Sequence, residues 1–172
     1  MKVIIQNGVA RSGKDQFVKF CMKYHKNSIN WSTVDEVKNI AKDKFGWNGD
    51  KTDDSRKFLS EMKRIWTEYN NGPFLDMINK ISNHQSTLND NDRYDFLYFI
   101  HCREPHEIQK FIDEYKNNCI TVLMLRDGID VPNNNSDKNV DNFKYDYVID
   151  NNDSLEDLEQ KSIKFLNTIK IN

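Results

Sequence analysis

The chain has 172 residues, enough for one domain with a real core. Its 25 Lys and Arg against 27 Asp and Glu leave a net charge of −2, which excludes a general attraction to nucleic acid or acidic membranes, so the expected ligand is a small molecule held by a local basic cluster. Cys21, Cys102 and Cys119 are odd in number and widely spaced, against a disulfide framework or zinc knuckle and in keeping with a reducing cytoplasm, and no apolar run approaches the ~20 residues of a membrane helix.

In chain order, Val3 to Gln6 predicts a first strand, entered directly after Lys2 with no cleavable apolar leader. A loop spaced G-x-x-x-x-G-K follows, Gly8 to Lys14, and then a helix over Gly13 to Tyr24 with Phe17, Phe20, Cys21 and Tyr24 on one face. Ser28 to Trp31 predicts a second strand. Thr33-x-x-Glu36 has the form of a capping box opening a helix that Gly46 would stop. Asp53 to Tyr69 is the longest predicted helix, and Pro73 suits the first position of the next. Strands are expected over Tyr94 to His101, Ile120 to Arg126 and Tyr147 to Asp150, with Pro105 opening a helix through Tyr115 and Ser154 capping a final one.

Near-continuous apolar strands alternating with helices predict a parallel sheet covered on both faces. With the G-x-x-x-x-G-K loop after the first strand, the expected fold is a three-layer α/β P-loop NTPase domain over residues 1–172, with roughly five parallel strands. Residues 35–86 are a helical insertion longer than a crossover needs, where substrate specificity could reside. Residues 127–146, in the polar stretch Arg126 to Asp146, are too long for an ordinary connection and are expected to act as a lid.

The Gly8 to Lys14 loop carries the chemistry. Small residues let successive backbone N–H groups turn inward, and the following helix adds the positive end of its dipole. Gly8, Arg11, Ser12 and Gly13 are the expected phosphate cradle, and Lys14 would neutralise the β- and γ-phosphates of ATP. Asp15 stands where such loops normally carry Ser or Thr on Mg²⁺. A carboxylate is also a hard oxygen ligand, so Asp15 is the expected Mg²⁺ site, with simple helix capping as its alternative.

The segment "GVARSGKD" resembles the phosphate loop of the bacteriophage deoxynucleoside monophosphate kinases, which carry S-G-K-D; animal phosphomevalonate kinases have a similar loop. The resemblance implies that Asp15 is that subclass's normal residue. "FIHCREPHEIQKF" is similar to the family's strand end and short helix, with Arg103, Pro105 and Glu107 on the pattern and His101 in place of the family's Asp. "YDYVIDNNDSLEDL" resembles its closing strand and Asn turn, and Arg56 is similar to its monophosphate-binding arginine.

In open parallel sheets the ligand crevice lies beyond the carboxyl ends of the strands. Asp35, Arg103 and Arg126 follow strand ends and are site candidates by position: Arg103 as a catalytic phosphate fork, Arg126 as an ATP contact, Asp35 as a substrate contact or as the base an alcohol acceptor would need. Arg56 and Lys63 share one side of the long helix and are expected to hold the acceptor's phosphate. Trp66, Tyr69 and Phe74 read as core before they read as a stacking platform.

These readings converge on a cytoplasmic ATP- and Mg²⁺-dependent nucleoside monophosphate kinase acting on a small nucleotide, with no nucleic-acid or membrane partner and a homodimer left open. A kinase for another small phosphorylated or hydroxyl substrate, or a nucleotide-binding protein without transfer activity, are the alternatives.

Overall fold

The computed structural model describes residues 1–129 and 143–169. The expected lid over 127–146 therefore lies mostly outside the described residues. The chain divides into two compact units, one built from Met1–Asn30 and Asn89–Asn172, the other from Trp31–Leu88.

The strands are β1 (Lys2–Asn7), β2 (Ser28–Ser32), β3 (Leu97–His101), β4 (Cys119–Leu125) and β5 (Tyr147–Asp150), in the sheet order β2-β3-β1-β4-β5. β1 pairs in parallel with both β3 and β4, and β4 with β5. This is the expected five-stranded parallel sheet. Chain order reverses about β1, so the crevice at its carboxyl end is where such sheets take ligands.

In the first unit, α1 (Lys14–Tyr24) and α7 (Leu155–Ile169) lie together on one face of the sheet. Ile4, Phe99, Val122 and Met124 point into their shared core with Phe17, Val18, Cys21, Leu158 and Phe165. The Phe17 and Phe165 rings meet at 5.3 Å, and Tyr147 stands edge-on to Phe165 at 5.2 Å. α6 (Pro105–Tyr115) packs against β4 and β1 and buries Ile108 and Phe111 completely. Pro105 opens α6, as its fixed φ favours. Ser154 Oγ accepts from the amide of Asp157 at 3.2 Å, and the Asp157 carboxylate takes the Ser154 amide in return. This reciprocal cap starts α7.

The second unit consists of α2 (Asp35–Phe45), α3 (Asp53–Asn70) and α4 (Gly72–Thr87), each packed against the other two. Gly46 ends α2 in the left-handed region, at φ +68°. Thr52 caps α3 through the amide of Ser55, and Asn71 reverses the chain at φ +57° before Pro73 enters α4.

Two local expectations are corrected. α2 opens at Asp35 with no side-chain cap from its N-cap residue Val34, so Thr33 and Glu36 do not form the capping box. Asp35 Oδ2 instead accepts from the Ser32 amide at 2.7 Å. Tyr94 and Asp95 belong to a short helix, α5 (Asp90–Asp95), not to β3. Asn89 caps it through the Asp92 amide at 2.9 Å, a local hydrogen bond that outweighs the strand preference of an aromatic residue.

Candidate functional site

β1 ends at Asn7 and α1 begins at Lys14, leaving the predicted loop to turn the chain over the end of the sheet. Three of its residues have positive φ: Gly8 at +143°, Arg11 at +67° and Gly13 at +97°. Such alternation aims consecutive amides into a concavity that suits an anion, and the first-turn amides of α1 have no acceptor within their own helix. The two glycines also make room. A Cβ on Gly13 would stand 2.1 Å from Asn151 Nδ2, and one on Gly8 would stand 2.7 Å from the Met124 carbonyl.

Lys14 Nζ donates to the Val9 carbonyl at 3.1 Å, which folds the ammonium back across the loop. Ser12 is fully buried, and its hydroxyl has no hydrogen-bond partner among the described residues. A cradle of small residues, an ammonium lying across it and an orphaned hydroxyl in its wall fit a phosphate group. Two amides of the run are committed elsewhere: Gly8 N donates to Asn7 Oδ1 at 2.8 Å, and Ser12 N donates to the Val9 carbonyl at 3.3 Å.

Two asparagines that sequence reasoning left outside the site hold it in place. Asn7 is fully buried, and its Nδ2 donates to the Arg103 carbonyl at 3.0 Å and to the Tyr145 hydroxyl at 2.7 Å. A single carboxamide therefore joins the start of the loop, the segment carrying Arg103 and the approach to β5. Asn151, just beyond β5, donates from its side chain to the Ser12 carbonyl at 2.9 Å, while its amide donates to Leu125 at 2.8 Å. Their signal in sequence is slight: Asn7 is the last residue of its strand and Asn151 the first after its own. Lys161 fixes the end of β5, donating to the Asp150 carboxylate at 2.8 Å and holding it below the usual carboxylate range.

Asp15 lies in the first turn of α1, with its side chain 80% exposed. His101, the last residue of β3, brings Nε2 to 3.7 Å from Asp15 Oδ1. The carboxylate that stands in place of the usual Ser or Thr of such loops thus faces an imidazole. Among the described residues no group of three or more His, Cys, Asp or Glu is arranged to hold a metal unaided. A cation bound mainly by nucleotide phosphates and water needs only one or two protein ligands, and the Asp15 carboxylate fits that requirement.

Arg103 follows β3 by two residues, and Arg126 follows β4 directly and is exposed. Beside Arg126, the Asp127 amide donates to Asn152 Oδ1 at 2.7 Å. Glu107 is buried in α6 and accepts from the Cys102 thiol at 3.4 Å.

The remaining sequence candidates belong to the second unit. Asp35 Oδ1 lies 3.4 Å from Lys38 Nζ, so both its oxygens have local partners. Arg56 is exposed and lies 3.4 Å from Asp53, a weak pair of the kind helix surfaces often carry. Lys63 lies on the same helix. Trp66 packs its indole against the backbone of Gly72, where even a Cβ would stand 1.7 Å from Nε1. It is a structural residue of the α3–α4 turn, and Trp31 similarly meets His84 edge-on at 6.2 Å.

No protein-family model matches the sequence, and no curated protein matches it. Solved structures do. The protein TT1252 from Thermus thermophilus superimposes with a TM-score of 0.55 at 13% identity, covering 99% of this chain and 98% of that one. Dephospho-CoA kinase from Campylobacter jejuni gives 0.51 at 14% identity, covering 98% and 97%. At such identity the likeness is one of fold, the three-layer α/β P-loop NTPase fold with its five-stranded parallel sheet. No helix of the described residues is long and apolar enough to cross a membrane.

Proposed function

We propose that this chain is an ATP-dependent nucleoside monophosphate kinase, with a deoxynucleoside monophosphate as its acceptor. The observation that carries the reading is the Gly8 to Lys14 loop: three positive-φ residues, an ammonium folded over them and a helix N-terminus behind them. When bound, ATP supplies the γ-phosphoryl group and a divalent cation spreads its charge. The loop amides and Lys14 hold the donor phosphates, and Arg103 and Arg126, at the carboxyl ends of β3 and β4, neutralise transferred and donor oxygens. Arg56 and Lys63 are assigned to the acceptor's own phosphate.

A phosphate acceptor is already anionic near neutral pH, so alignment and charge neutralisation suffice and no general base is needed. Asp35 supports this choice over an alcohol acceptor. The carboxylate an alcohol would require as base spends its oxygens on the Ser32 amide and Lys38.

The test is incubation with ATP, Mg²⁺ or Mn²⁺, and a panel of ribo- and deoxynucleoside monophosphates alongside phosphomevalonate and simple alcohols. ADP formation with particular nucleotides only is the expected result. Turnover with an alcohol, or tight ATP binding with no acceptor-dependent turnover, would overturn the assignment.

A further inference from the structure

Asp15 Oδ1 and His101 Nε2 face each other at ion-pair distance. Their 3.7 Å separation exceeds a hydrogen bond, which for N–H···O lies at ~2.7–3.2 Å. Two ligands of one ion, with bonds of ~2.1 Å at angles of ~90–110°, stand ~3.0–3.4 Å apart. A small rotation of the exposed Asp15 side chain closes that difference.

A second observation points to a polar occupant beside them. Gln6 is in register with His101 across the β1–β3 pair, so the two side chains lie on the same face of the sheet. That is the face Ile4 presents to Phe17 and Val18 of α1, the helix that carries Asp15. Gln6 is 1% exposed, yet neither Oε1 nor Nε2 of its carboxamide has a hydrogen-bond partner among the described residues. The buried hydroxyl of Ser12 is orphaned in the adjacent loop. Buried polar atoms without partners are costly, and groups of them mark the place of a water or an ion.

We infer that Asp15 Oδ1 and His101 Nε2 are joint protein ligands of the nucleotide's divalent cation, and that the site prefers a nitrogen-accepting first-row transition ion, of the Mn²⁺ and Co²⁺ class, to Mg²⁺. The inference rests on the nucleotide-binding reading above. Its chemistry is that of the donor set. Mg²⁺ binds almost entirely through oxygen, whereas an imidazole nitrogen raises affinity along the first-row series. A carboxylate stands where such loops usually carry a hydroxyl, and an imidazole faces it, which alters which ion is held.

The experiment uses the full chain with ADP. Pulsed electron paramagnetic resonance of the Mn²⁺–ADP complex is expected to show ¹⁴N coupling from an imidazole, and His101→Asp is expected to abolish it while ADP still binds. By calorimetry, wild type is expected to favour Co²⁺–ADP over Mg²⁺–ADP at least ~10-fold more than free ADP does, a difference of ~1.4 kcal/mol that His101→Asp should remove. His101→Asn serves as a second variant should the first fail to fold. Nucleotide binding without ¹⁴N coupling, or an ion preference unchanged in both variants, overturns the inference alone. Absence of ADP binding with any cation or with chelator overturns the nucleotide reading together with it.

Discussion

The side-chain amide of Asn151 donates to the carbonyl of Ser12 at 2.9 Å, tying the end of β5 to a loop 139 residues earlier. Removing it leaves the cradle without its brace from that side. A net hydrogen bond is worth ~1 kcal/mol, so Asn151→Ala is expected to weaken ATP binding ~5-fold by calorimetry. Unchanged affinity would show that the loop holds its shape without the bond.

Gly13 is constrained twice, by φ +97° and by Asn151 Nδ2 at 2.1 Å from its missing Cβ. Gly13→Ala is expected to cost ~1–3 kcal/mol in urea unfolding, from backbone strain and the displaced carboxamide. Combining it with Asn151→Ala removes the contact but not the strain, so only partial recovery is expected.

Lys14 reaches the loop's own Val9 carbonyl at 3.1 Å and is placed to exchange that acceptor for phosphate oxygens. Lys14→Ala is expected to lower kcat by ~10²–10³, the usual effect of losing one donor to developing charge, and to weaken ATP binding. Steady-state kinetics with the acceptor found in the panel measures both.

Asp35 accepts from the Ser32 amide through one oxygen and faces Lys38 with the other. Asp35→Asn retains an acceptor for the amide, so transfer to a monophosphate is expected at the wild-type rate. Near-complete loss of turnover, with the fold intact by circular dichroism, would give Asp35 the role of a base.

Lys161 hydrogen-bonds to Asp150 and holds its carboxyl below the ordinary range. A carboxyl with a depressed folded pKa contributes stability above its unfolded value of ~3.9 and loses it as pH falls through the folded value. The melting temperature is therefore expected to decline between about pH 5 and the depressed value, and Lys161→Met should remove that part of the decline. An identical pH profile in the variant would show that the pair contributes nothing.

Much of the sheet was legible because its strands are short apolar runs bounded by polar turns. Tyr147–Asp150 forms β5 as expected, and Ser28, Pro105 and Ser154 start elements where their chemistry predicts. Errors arose where a local hydrogen bond competed with a preference, as at Asn89 before Tyr94 and at Asp35 after Thr33.

The phosphate loop is a local object. Glycines that permit positive φ, a preceding strand and a following helix lie within Lys2 to Tyr24, so their order in the chain was enough to specify it. What braces the loop, and what faces its carboxylate, was decided by packing. Asn7 meets Arg103 and Tyr145, Asn151 meets Ser12, and His101 meets Asp15 only because parallel strands bring their carboxyl ends to one edge of the sheet. Residues so far apart in the chain carry no mutual spacing signal, and only the assembled sheet makes them neighbours.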